Sequence, residues 1–164
     1  HGGAIETCME DLLLMHNLSQ NSGLSIKEIA QKFYKEKKEK GQKISGFGHR
    51  IHTDDPRTKK LFSLSKELNI AKVYVEIIEI LKQTIDEVSG KKLPINVDGA
   101  LGAILLDMGF KSNIANGFFI LSRIPGLIAH YMEETETQKP MRKIDVAKHI
   151  YSGKEERRIS WEMN

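Results

Sequence analysis

The chain has 164 residues, 40% of them hydrophobic and 29% charged, with a formal net charge of +3. That suits one globular domain, or a small domain with part of another. It excludes a membrane helix, because no apolar run approaches the roughly 18 residues that one needs, and nothing resembles a signal peptide. Cys8 is the single cysteine, so an internal disulfide is impossible and a reducing, cytoplasmic setting fits best.

Residues 3–16 read as a first helix, with Ile5, Met9, Leu12, Leu13 and His16 near one face. A polar break is expected at 19–23. Ser25 with Glu28 three residues on is a capping-box pattern, and Ile26, Ile29, Ala30 and Phe33 follow at helical spacing. The region 35–43 alternates lysine with glutamate beside one aromatic residue, Tyr34. It reads as a solvated helix face, so neither a nucleic-acid nor a membrane partner is expected. Pro56 opens a third helix carrying Leu61, Leu64 and Leu68. A fourth, 70–88, sets Val73, Ile77, Ile80, Leu81 and Ile85 on a stripe that Gly90 ends. A buried helix follows over 100–108, and a last one over 114–134, bent by Pro125. No segment alternates apolar and polar residues, so the expected fold class is all-α.

Three stretches stand apart from this scaffold. Gly46-Phe47-Gly48-His49-Arg50 puts a histidine behind two glycines, where ligand can approach the backbone closely. Asp55-Pro56-Arg57 then reads as an N-cap, a first helical residue and a cation in the first turn. A cation there opposes the helix dipole, and an acidic ligand would give it a reason to be present. Asp98 precedes an apolar helix, either as its cap or as a carboxylate whose basicity burial tunes. Arg123 lies in an apolar helix and needs an anion, either an internal carboxylate or a ligand. His16, His52, His130 and His149 read as surface or packing residues. No metal site is expected: His49 and His52 are three apart, but in a loop rather than on a helix.

These residues, taken in order, make the chain similar to the citrate synthase family. The matching stretches are His1-Gly2-Gly3-Ala4, the glycine-histidine loop with Asp55-Pro56-Arg57, Asn96-Val97-Asp98-Gly99, and Arg123 with Gly126 and His130. Gly99, where citrate synthases more often carry a larger residue, and the run Gly126-Leu127-Ile128-Ala129-His130-Tyr131 resemble the citryl-CoA lyase branch, which includes the carboxyl-terminal module of ATP-citrate lyase.

The resemblance implies that residues 1–110 form the family's small domain and that 111–164 return into its large domain, most of which is absent. It implies His1, His49 and Asp98 as catalytic residues, and Arg57, Arg123, Arg142 and Phe119 around the substrate, with Arg142 reaching in from a second subunit. Ile44, Ser45, Gly46, Phe47, Gly48 and Arg50 would lie along coenzyme A. The implied reaction makes or breaks the bond between acetyl-CoA and oxaloacetate, giving citrate or consuming citryl-CoA, with no tightly bound cofactor and in a dimer or larger homo-oligomer. Thr53 departs from the pattern, since relatives often carry a cation there for the CoA phosphates; Arg50 or the Lys59-Lys60 pair would replace it. The chain opens on His1 rather than methionine, so the expectation is either a longer protein or a fragment that needs partner chains. Two alternatives follow: a catalytically idle CoA-binding or assembly subunit, and a relative acting on another 2-oxo acid, such as a methylcitrate enzyme.

Overall fold

The computed structural model describes residues 3–50, 53–141, 143, 145–147, 150 and 155. Among them the fold is all-α, as expected. Helices α1 (Ala4–Ser22), α2 (Ile26–Glu39), α3 (Pro56–Glu67), α4 (Val73–Ser89), α5 (Val97–Asp107), α6 (Ala115–Leu121) and α7 (Ile124–Thr137) follow in order, with a short 3-10 turn at Ser112–Ile114. The chain divides into two compact units, His1–Arg123 and Ile124–Asn164.

In the first unit α5 is the central rod. It packs against α1, α3 and α4, and α2 closes over α1 and α4. Its sequence, rich in Ala, Gly, Ile and Leu, is buried almost all round, as a helix without a polar face must be. Ile5, Met9, Leu12 and Met15 of α1 and Ile77, Ile78, Leu81 and Ile85 of α4 complete the core.

Several boundaries differ from those the local pattern suggests. Helix α1 continues through the expected polar break because Ser19, Asn21 and Ser22 bond back to the carbonyls of His16, Asn17 and Leu18, three or four residues earlier. Gly23, at φ +68°, then ends it. The capping box of α2 is formed as expected: Ser25 Oγ accepts from Glu28 N–H, and Glu28 Oε2 accepts from Ser25 N–H at 2.8 Å. Helix α4 starts at Val73 rather than near Ile70 because Asp107, at the far end of α5, accepts from the backbone N–H groups of Lys72, Tyr74 and Val75. Such a cap comes from across the fold and leaves no local trace. The leucine stripe expected for α3 also moves. Leu64 and Leu68 are exposed, whereas Thr58 and Ser65 face inward.

The expected long helix over 114–134 is two helices. Pro125 is the second residue of α7; with no N–H and a ring that crowds the preceding turn, it cannot continue α6. On α7, Ile124, Leu127, Ile128, Tyr131 and Met132 recur at helical spacing and are all exposed.

Candidate active site

The loop 44–50 and the turn 94–99 leading into α5 meet edge to edge. Phe47 and Ile95 form an isolated antiparallel bridge. Asn96 N–H donates to the Gly46 carbonyl at 3.0 Å, Gly48 N–H to Pro94 at 2.8 Å, and Asn96 Nδ2 to Gly48 at 2.9 Å. Thr58 Oγ1 of α3 donates to the Ile95 carbonyl at 3.0 Å, so three elements are tied at one junction.

Glycine makes the junction possible. A Cβ on Gly99 would stand 2.4 Å from the Gly46 carbonyl oxygen, and one on Gly46 would meet Cys8 Sγ at 2.7 Å and Gly99 Cα at 2.9 Å. Gly46 also holds φ +88°, which a larger residue rarely adopts. The sequence shows Gly99 only as a family feature; its steric reason is visible only once the loop lies against it. Cys8, buried beneath the junction, has its thiol pushed up by burial.

Asn96, not Asp98, caps α5. Its Oδ1 accepts from Asp98 N–H at 3.0 Å and Gly99 N–H at 3.2 Å. Asp98 is the second residue of the helix and only 5% exposed. Burial pushes its carboxyl above the ordinary carboxylate value, and Arg123 and Arg57 partly offset the rise while Asp55 adds to it. A carboxylate whose basicity burial raises is equipped to take up a proton.

Asp55 caps α3 as expected, its Oδ1 accepting from Arg57 N–H at 3.0 Å. Arg57, however, already has an anion. Its Nε donates to Asp55 Oδ1 at 3.0 Å and its Nη2 to Oδ2 at 2.8 Å. The expectation that Arg57 has no stabilising reason within the chain is therefore corrected. Arg57 Nη2 also lies 3.4 Å from Nε2 of His49, which is exposed at the loop's end. Arg123 likewise differs from its expected burial among apolar side chains. It is half-buried in the turn after α6, its guanidinium 3.7 Å from the centre of the Phe119 ring and bonded to the Ser122 hydroxyl. That stacking partly replaces an anion. His1 and Arg142 lie outside the described residues.

Beside the loop, a groove of about 520 Å³ runs between the end of α2 and residues 44–50. Ile44, Phe47, Gly48, His49 and Arg50 line it together with Lys37, Lys38 and Lys43. Gly46 is buried and Ser45 half-buried. The lysine tract is therefore more than a solvated face. Lys37 is engaged, 3.1 Å from Asp11 and over the Phe33 ring. Lys38, Lys43 and Arg50 have no carboxylate within ion-pair distance among the described residues. Lys59 is paired with Asp54.

Residues 1–144 match the family described as citrate synthase, C-terminal domain. A citrate synthase of Corynebacterium glutamicum is 29% identical over 97% of this chain, which spans 36% of that relative's length. The citryl-CoA lyase of Hydrogenobacter thermophilus superposes with a TM-score of 0.74 at 35% identity, covering 96% of this chain and 60% of that one. The Thermoplasma acidophilum citrate synthase, solved as a ternary complex with carboxymethyl coenzyme A and oxaloacetate, gives 0.62 at 26% identity, over 98% of this chain and 41% of its own. The curated relative is thus nearly three times as long as this chain. By sequence and by fold, the chain belongs to the citrate synthase family, over the part that corresponds to its carboxyl-terminal domain.

Proposed function

We propose that the chain carries most of the active site of an acyltransferase or lyase that makes or breaks the carbon–carbon bond between acetyl-CoA and oxaloacetate. The observation that carries this reading is Asp98: a buried carboxylate with its basicity raised, relieved of capping duty by Asn96, and within the electrostatic reach of two arginines.

In the synthetic direction Asp98 takes a proton from the acetyl methyl. Such a proton is weakly acidic, so the enol oxygen needs a hydrogen-bond donor at the same moment, and His1 supplies it. His49 donates to the ketone of oxaloacetate and protonates the alkoxide formed from it. Arg57 and Arg123 hold the carboxylates, since a planar guanidinium matches them in pairs; Phe119 keeps Arg123 in place, and Arg142 enters from a second copy. In the cleaving direction the same groups run backwards on citryl-CoA. The 44–48 backbone lies along the CoA adenine, while Lys38, Lys43 and Arg50 take the phosphate charge that Thr53 cannot and that Lys59, paired with Asp54, no longer offers. No resident cofactor takes part; the CoA thioester is substrate.

Residues 1–110 act as the small domain and 111–164 as the return into the large one. The exposed apolar residues of α7 support a dimer or larger homo-oligomer. The test is to supply citryl-CoA and identify the products. Acetyl-CoA with oxaloacetate means a lyase, citrate with free CoA a hydrolysing synthase, and no turnover sinks the proposal. A second reading is a catalytically incomplete CoA-binding or assembly subunit, for which the lysine-lined groove beside residues 44–50 would by itself suffice. CoA binding without turnover would select it. Turnover of a propionyl thioester in preference to acetyl would instead select the methylcitrate-type alternative.

A further inference from the structure

We propose that Asp55 is a positioning residue: its carboxylate fixes the Arg57 guanidinium side-on, so that the opposite N–H edge, beside His49, receives a substrate carboxylate end-on. The inference rests on the function proposed above and adds a residue to it.

A helix cap needs one acceptor oxygen, and serine or asparagine would serve as well as aspartate. Asp55 uses both oxygens. Oδ1 accepts from Arg57 N–H and Nε, and Oδ2 from Nη2. The second oxygen and the negative charge therefore act on the guanidinium alone. The pair is also lopsided: the Asp55 side chain has no exposure, whereas that of Arg57 is 41% exposed. One edge of the guanidinium is anchored in the interior while the rest faces outward.

An arginine has five N–H donors in a rigid fork. Nε and one Nη2 hydrogen are taken by Asp55, and the other Nη2 hydrogen is directed near His49 Nε2 at 3.4 Å. Nη1 has no hydrogen-bond partner among the described residues. What remains for a carboxylate is the end-on edge, Nη1 with the Nη2 hydrogen that it would draw from the long 3.4 Å contact to His49, and that edge adjoins the histidine. Its neighbouring carbonyl oxygen is thereby brought to the histidine rather than held at an arbitrary angle. Asp55 also removes torsional freedom from a long side chain before substrate arrives, which is preorganisation.

The test is Asp55→Asn, which keeps a good cap while removing the charge and the second acceptor. Its melting temperature should stay near that of the unaltered chain. Its kcat with citryl-CoA should fall by about 10²-fold, the loss typical of a misplaced reacting group, with a much smaller change in KM. In an Arg57→Gln background the same Asp55→Asn change should have no further effect, because Asp55 acts only through Arg57. Unchanged kcat in Asp55→Asn, or fully additive losses in the double variant, overturns the proposal. Should Asp55→Asn fail to fold, Arg57→Lys keeps cap and charge but cannot form the side-on fork, and wild-type kcat there overturns it equally. Absence of turnover and of oxaloacetate binding in the unaltered chain would overturn the proposed function, and this inference with it; turnover with a failed double-variant test overturns the inference alone.

Discussion

Helices α3 and α5 both begin beside a carboxylate that is almost wholly buried, Asp55 at 1% and Asp98 at 5% exposure, yet the two are set to opposite ends. Asp55 is itself the cap, and the Arg57 guanidinium holds its carboxyl below the ordinary value. At α5 the cap is an uncharged amide, Asn96, and the acid two residues on is left to burial, which raises it. The same residue type is thus a fixed anion in one place and a carboxyl of raised basicity in the other. The difference lies in who satisfies the helix amides.

The largest expected effect breaks that comparison on the basic side. Asp98→Asn should lower turnover by about 10²–10⁴-fold, the usual contribution of a positioned general base. It should also raise the melting temperature at neutral pH. The folded carboxyl titrates above its ordinary value of 3.8, so the fold binds more protons than the unfolded chain, and stability falls as pH rises through that window. Asn has no charge to bury. Full turnover in this variant would sink the assignment of the base.

Next is the junction that holds the two helix starts together. Gly99→Ala places a methyl against the Gly46 carbonyl, and crowding of backbone by backbone should cost about 1–3 kcal/mol. Urea unfolding measures it. A loss within error would mean that the loop is not pinned to α5.

How far this was legible in the sequence depends on the range of the interaction concerned. The helices followed from 3.6-residue spacing, and the α2 capping box and the Asp55–Pro56 start followed from signals within four residues. What failed was long-range. The Asp107 cap on α4 comes from another helix, and the Gly46–Gly99 contact joins positions 53 residues apart. The Arg57 partner failed for a different reason: Asp55 was already assigned as a cap, and its second oxygen was not counted. Lys38 and Lys43 were hidden in a lysine-glutamate tract, because alternating charge looks the same on a solvated face and along a groove. His49, Asp98 and Arg57 stood out because each lies beside a feature that local packing alone does not explain.

Asn96 sharpens the comparison at smaller cost. Asn96→Ala removes the α5 cap, worth about 1 kcal/mol, and the bond to the Gly48 carbonyl. Asn96→Asp keeps an acceptor for the helix amides but sets a second negative charge beside Asp98. Like charges oppose ionisation, so the pH–rate limb belonging to Asp98 should move to higher pH. A limb that stays in place would mean that the two side chains do not sense one another.

The smallest effect lies on the Asp55 side and has the opposite sign. Its folded carboxyl titrates below 3.8, so the fold binds fewer protons than the unfolded chain as pH falls. Its contribution is present in full above the unfolded value and is lost as pH drops through the lower, folded one. Arg57 is 41% exposed, so solvent screens the pair and the difference between the chain and Asp55→Asn should be no more than about 1 kcal/mol. Measured against pH, the two Asn variants should therefore diverge. Asp98→Asn gains on the unaltered chain as pH rises, whereas Asp55→Asn loses ground over the acid range and then runs parallel. Added salt should shrink the second difference, since its cation is half in solvent, and leave the first largely unchanged, since burial rather than attraction sets it. Parallel slopes in both variants would mean that the two helix starts hold their carboxylates alike, and the division of labour between cap and base would be lost.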